Sequence, residues 1–197
     1  FGQTWTNGGK PKAVINLVHS HGEHSGIYTD FAKKLTDNNY YVVSLDLRGH
    51  GKSEGRRGYA SSYRKLIKDL HTLIDKSESL FPGYPKILLG HGLGGNIAIY
   101  YLSTHITNIS SLIVTSPWLV LEHRFSKGKL FIGNIIRHIL PTCMLETGFT
   151  AEDKRRKQDA IKKYGNDPLM HDKVSIRLFY EIIFAGQRSS RSIYKIN

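Results

Sequence analysis

Residues 87–96 read Ile-Leu-Leu-Gly-His-Gly-Leu-Gly-Gly-Asn, and NIAIYYL (96–102) carries on from them in a helical pattern. An apolar run thus enters a glycine-rich turn and a helix leaves it. A strand that feeds a helix through Gly-x-Ser-x-Gly is a nucleophile elbow, a sharp turn that pushes a serine out at the edge of a sheet. Here the pattern is Gly-x-Gly-x-Gly, with Gly90, Gly92 and Gly94 in the three fixed places. The turn is kept and the hydroxyl is missing. One glycine-rich turn is weak evidence, so the flanking sequence has to decide the fold.

Working outward, AVINLV (13–18), YYVVSLD (40–46), KILLG (86–90) and SSLIVTSP (110–117) are short, β-branched and apolar, the composition of buried strands. Helical patterns separate them. Over 26–38, Tyr28, Phe31, Ala32 and Leu35 share one face. Over 60–80, Tyr63, Leu66, Ile67, Leu70, Leu73 and Ile74 recur at three and four, until Pro82, Gly83 and Pro85 break the helix. Alternating helices and nearly all-apolar strands predict a doubly wound, mostly parallel sheet covered on both faces, an α/β fold. Ligands bind such sheets beyond the carboxyl ends of the strands. The loops 19–26, 47–58, 90–95 and 116–124 all lie there.

After Pro117 the rhythm changes and no clear strand follows. KGKLFIGNIIRHIL (127–140) is an amphipathic helix with basic residues off its apolar face. Such a helix either packs on a core or lies on a membrane surface. Residues 172–185 are again helical. The expected division is a partial core over 1–117, a helical cap over 118–186, and a return toward the core over 187–197.

The chain has 197 residues, enough for one domain with a real core, and a net charge of +12. Six basic residues fall in AEDKRRKQDAIKK (151–163). No zinc spacing, aromatic RNA-binding motif or recognition-helix signature accompanies them, so nucleic acid is not the expected partner. A solvated basic surface or contact with anionic lipid headgroups accounts for the charge. No apolar run approaches the roughly 18 residues of a membrane span. The single cysteine, Cys143, excludes an internal disulfide and suits a reducing compartment. The chain opens on Phe1 rather than Met and reads as part of a longer one.

Three ordered motifs carry a resemblance: HSHGEHSGIY (19–28), DLRGHGKSEG (46–55) and GHGLGG (90–95), with NDPLM (166–170) further on. Together they resemble the monoacylglycerol lipase and lysophospholipase branch of the α/β-hydrolase superfamily, labelled serine aminopeptidase-like, over nearly the whole chain. The resemblance implies a carboxylic ester or lipid substrate, no metal or organic cofactor, and a cytoplasmic protein that meets anionic membranes peripherally through 127–140 and 151–163.

It also assigns the site. Gly92 takes the nucleophile position, within an elbow formed with Gly90, His91 and Gly94. The backbone N–H groups of Leu93 and His21 form the oxyanion hole, aimed at an empty position. Glycine has no atom to attack a carbonyl, so acyl transfer at 92 is not expected, and a chain released from catalysis is relieved of roughly 1–3 kcal/mol of elbow strain. A serine hydrolase inactivated at 92 and a pseudo-hydrolase that binds lipid or acyl ligands both fit. The family has His-Gly where this chain has His19-Ser20. No motif places a base for Ser20, and Cys143 falls where a buried, inert thiol is the usual case. His24, His50 and His91 read as structural hydrogen-bonders. The triad acid and histidine map onto nothing before Asn197, so a further segment or a second chain is expected to supply them and to cover the edge of strand 110–117.

Overall fold

Strand Ala13–Val18 (β2) is buried at all six positions, which is why its sequence is continuously apolar rather than alternating. In this computed structural model, which describes residues 1–119, 127–146, 167–192 and 194, β2 is the middle of a five-stranded sheet. Gly2–Trp5 (β1), Tyr40–Leu45 (β3), Lys86–His91 (β4) and Ile109–Thr115 (β5) complete it in the order β1-β3-β2-β4-β5. β2, β3, β4 and β5 run parallel, whereas β1 is an antiparallel edge strand. The four expected strands are all present. β1 is an addition, as is a second small sheet pairing Met144–Glu146 (β6) with Lys173–Ser175 (β7).

Each face of the large sheet has its own core. Ile15, Leu17, Val42 and Leu89 pack with Ala32 of helix α1 (Thr29–Asp37). A short 3-10 turn, Ser25–Tyr28, leads into that helix. Phe31, expected on the buried face, is 43% exposed; Ala32 makes the contact instead. On the other face, Val14, Val18, Val43 and Leu88 meet α2 (Tyr63–Leu80), α3 (Leu93–Thr104) and α5 (Ile176–Ser192). α2 buries Leu66, Leu70 and Leu73, as its period requires.

α5 contributes Leu178, Ile182 and Ala185 to this second core. The division expected at 186/187 therefore falls inside one continuous helix. Glu181 of α5 accepts the first amide of α2, from Tyr63, at 3.0 Å. That satisfies an orphan donor and places a carboxylate at the positive end of the α2 dipole.

α4 (Lys127–Ile139) rests on α5. Arg137 stands 3.8 Å from Glu181 and 5.1 Å over the Phe184 ring, while Gly133 leaves room only for the Tyr180 hydroxyl. Phe131, Ile132, Ile135, Ile139 and Leu140 are exposed, and so is Cys143, whose thiol was expected to be buried. The β6–β7 pair sits over the strand ends, where the Ser175 amide donates to Gly58 O at 2.8 Å and the nearby His171 amide to Gly22 O at 3.0 Å. Among the described residues no helix is long and apolar enough to cross a membrane. The basic run 151–163 lies outside the described residues.

Candidate active site

The turn between β4 and α3 is set by Gly92, with φ +53° and ψ −113°. Its backbone is held on both sides. The Gly92 amide donates to Thr115 O at 3.0 Å, and its carbonyl accepts from the amides of Asn96 and Trp118, each at 3.1 Å. Glycines on either side allow the helix to start this close to the sheet. A Cβ on Gly90 would lie 2.5 Å from Gly94 O, and one on Gly94 would run into Val18 O. Beside the turn, His91 Nδ1 lies 2.7 Å from Thr115 Oγ1, the hydrogen-bonding role expected for it.

The loop after β2 closes on this turn. His19 is fully buried and bridges two loops. Its Nε2 accepts from the Leu47 amide at 2.9 Å, so Nδ1 carries the proton given to Ser20 O at 2.7 Å. Glu23 accepts from the Ser20 amide at 3.0 Å and from the Tyr28 hydroxyl at 2.6 Å. His24 Nδ1 accepts from the Gly26 amide, which leaves Nε2–H to donate to Asp167 at 2.8 Å. His24 is thus an anchor tying the first loop to the turn of the NDPLM motif.

The two expected oxyanion donors stand differently. The His21 amide makes no hydrogen bond among the described residues. The Leu93 amide is engaged: it donates to Ser20 Oγ at 3.3 Å. The expectation of an empty position in front of Leu93 is therefore corrected. The hydroxyl of Ser20 stands there, because its loop and the elbow are brought together by the Gly94–Val18 approach.

The loop after β3 is organised by Asp46. Its carboxylate accepts from the Ser25 amide (2.7 Å), the Ser25 hydroxyl (2.6 Å) and the Lys52 amide (2.7 Å). Burial opposes ionisation here, but these hydrogen bonds outweigh it and hold the carboxyl below its usual range. Arg48 fixes the same loop to α2 through a bidentate pair with Asp69, at 2.5 and 2.8 Å.

Under β7 lies a group of histidines that the sequence did not reveal. The His21 ring is 5.1 Å from His50, 5.2 Å from His171 and 5.8 Å from Trp118. His50 Nδ1 faces Arg48 O at 3.0 Å, and His21 Nε2 faces Lys173 O at 3.0 Å. Carbonyls only accept, so both of these nitrogens carry protons. The remaining nitrogens, His50 Nε2 and His21 Nδ1, then face each other at 3.3 Å. Two neutral rings hold two protons for three contacts. A third proton is opposed by burial, which pushes His21 down to about 4 and His50 well below 6.5, and in each case a neighbouring histidine adds to the effect. His171 is lowered too, chiefly by burial, against which hydrogen bonding to the backbone of Gly49 and Lys173 pulls upward. No group of three or more His, Cys, Asp or Glu among the described residues is arranged to hold a metal ion.

Of the expected site residues, the structure thus gathers Gly90, His91, Gly92, Leu93 and Gly94 into one turn and brings the His21 loop against it through Ser20. Sequence reasoning weighed Ser20 only as a substitute nucleophile and passed over His171. The signal for Ser20 was the departure from His-Gly; no signal pointed to His171. A separate groove of about 740 Å³ beside β1 and α2 is lined by Phe1, Gln3, Lys52 and Lys76 among others, with no residue of the elbow or of the loop 19–26.

A parallel sheet with helices on both faces, a glycine turn at positive φ opening a helix, and ordered loops over the strand ends define an α/β-hydrolase. The chain belongs to the serine aminopeptidase S33 family, whose pattern matches residues 9–197, and it lies in the monoacylglycerol lipase-like branch. It is 33% identical over 172 residues to the human monoglyceride lipase, covering 86% of this chain and 56% of that one. A phospholipase of Bacillus subtilis is 30% identical over 181 residues, covering 91% and 69%. The crystal structure of Paleococcus ferrophilus monoacylglycerol lipase superposes with a TM-score of 0.85 at 28% identity, covering all of this chain and 74% of that one. A soluble variant of the Saccharomyces cerevisiae monoglyceride lipase, solved with a substrate analogue, gives a TM-score of 0.78 at 25% identity, covering 95% and 64%. The chain spans 65% of the rat and 56% of the human monoglyceride lipase.

Proposed function

We propose that the elbow and the loops around it form a site for a single-chain glycerolipid ester, and that the chain holds such a ligand without transferring its acyl group at position 92. The observation that carries this reading is Gly92 itself. It takes the sharp turn of an elbow at φ +53° and offers no nucleophilic atom. The named activities of the relatives support a lipid ester as the ligand class. The loop carrying His21 would orient the ester carbonyl, and α4 with the β6–β7 pair would act as a cap over it. The exposed Phe131, Ile135 and Ile139, with the exposed His138 in the same helix, suit contact with an anionic bilayer surface.

The test is to incubate the purified chain with monooleoylglycerol, following bound lipid and released glycerol separately. Saturable binding without glycerol release is expected. Release above the buffer rate would refute the non-catalytic reading, and absence of binding would refute the site. Phosphatidylserine vesicles should pull down the chain, and Phe131→Ser/Ile139→Ser should weaken that binding severalfold.

A further inference from the structure

The sequence carries two departures from the family pattern, Ser20 in the loop after β2 and Gly92 in the elbow, 72 positions apart, and the structure puts them in contact. A Cβ built on Gly92 would lie 2.8 Å from Ser20 Cβ and closer still to Ser20 Oγ. Ser20 is 7% exposed and its hydroxyl accepts the Leu93 amide at 3.3 Å. The positive φ of residue 92 does not by itself exclude a side chain, since elbows elsewhere carry a serine in this strained turn. The obstacle is Ser20: its hydroxyl can rotate, but its Cβ moves only with a loop pinned by His19, Glu23 and His24.

We propose that Ser20 and Gly92 are a reciprocal pair: the hydroxyl of Ser20 fills the space of the absent side chain at 92 and plugs the Leu93 donor. A side chain at one position excludes the other. Three consequences follow. The elbow is self-occupied, so a carbonyl oxygen reaching Leu93 N–H must first displace the Ser20 hydroxyl. Restoring a serine at 92 alone does not restore an elbow. Position 20, one residue before the expected His21 donor, decides whether position 92 can carry a nucleophile at all. This deepens the proposed site without depending on its ligand.

The test is a double-mutant cycle on the whole chain, read by urea unfolding and by the Leu93 amide resonance. Gly92→Ser alone should raise the unfolding constant by well over about tenfold, and Ser20→Gly should recover about tenfold or more of that loss when combined with it. Gly92→Ala repeats the cycle with a bare Cβ, so that the result does not hinge on a second hydroxyl. Ser20→Gly by itself should fold and shift the Leu93 amide resonance; Ser20→Ala should shift it too while still penalising Gly92→Ala. A single variant too unstable to fold, rescued by Ser20→Gly, supports the pair. Additive effects, a double variant that fails to fold while Ser20→Gly folds, or failure of Ser20→Gly alone would each overturn it.

Discussion

Acidification from about pH 7.5 to about pH 5 should destabilise this protein well before its carboxylates begin to protonate. The cause is the histidine group under β7 together with His19. Unfolded, each imidazole titrates near 6.5. Folded, His19, His21, His50 and His171 are all lowered by burial. Between the two values the unfolded chain binds more protons, so acid favours unfolding. The contribution is intact above about 6.5 and is lost as the pH falls toward the folded values. For His21, at about 4 in the fold, the loss by pH 5 is roughly 1–2 kcal/mol. The neighbouring histidines change stability in the same direction. Asp46 works in a lower window: its carboxyl is held below its usual range, so its contribution is present above about 4 and fades only below that. Urea denaturation at constant ionic strength across this range should show stability falling by at least roughly 1 kcal/mol per pH unit below 6.5. His171→Phe, which removes one of these lowered imidazoles, should make the dependence shallower. A flat or rising stability between pH 6.5 and 5 would refute the assignment of a buried neutral cluster.

Two further outcomes are expected. Asn16 is fully buried in β2 and neither side-chain polar atom finds a partner among the described residues; Asn16→Leu should therefore stabilise by about 1–3 kcal/mol in urea unfolding, and a loss of stability would reveal a partner. Asp46→Asn turns one acceptor into a donor facing an amide N–H, and should cost about 1–3 kcal/mol and lower the thermal midpoint, with an unchanged midpoint counting against the three hydrogen bonds described.

The parallel strands were legible because two-sided burial forces a continuous apolar run, and β2 and β4 have little else. β1 was not legible: Gly-Gln-Thr-Trp is an edge strand whose burial alternates, and four residues do not establish a period. The three-residue strands β6 and β7 are shorter than any pattern can register. The margin of an amphipathic face is equally hard to read, hence Phe31. At the site, the motif was enough to place Gly92, Leu93 and the glycines. It could not show what stands in front of Leu93, because that depends on a side chain 73 residues earlier in the chain. The histidine group is harder still. His21, His50 and His171 come from three separate segments, and only the return of β7 over the strand ends joins them.

The glycines around the elbow divide its residues by what selection can change. Gly90 and Gly94 are required because a carbonyl oxygen stands where their Cβ would go, so a protein library randomised there would yield few soluble members. Positions 20 and 92 face each other rather than the backbone of the sheet. Randomised together, they should return many folded pairs differing only in which reactive group, if any, the turn displays. The architecture of such a site can thus outlast its chemistry in a lineage, and the same two codons are where new chemistry could be installed.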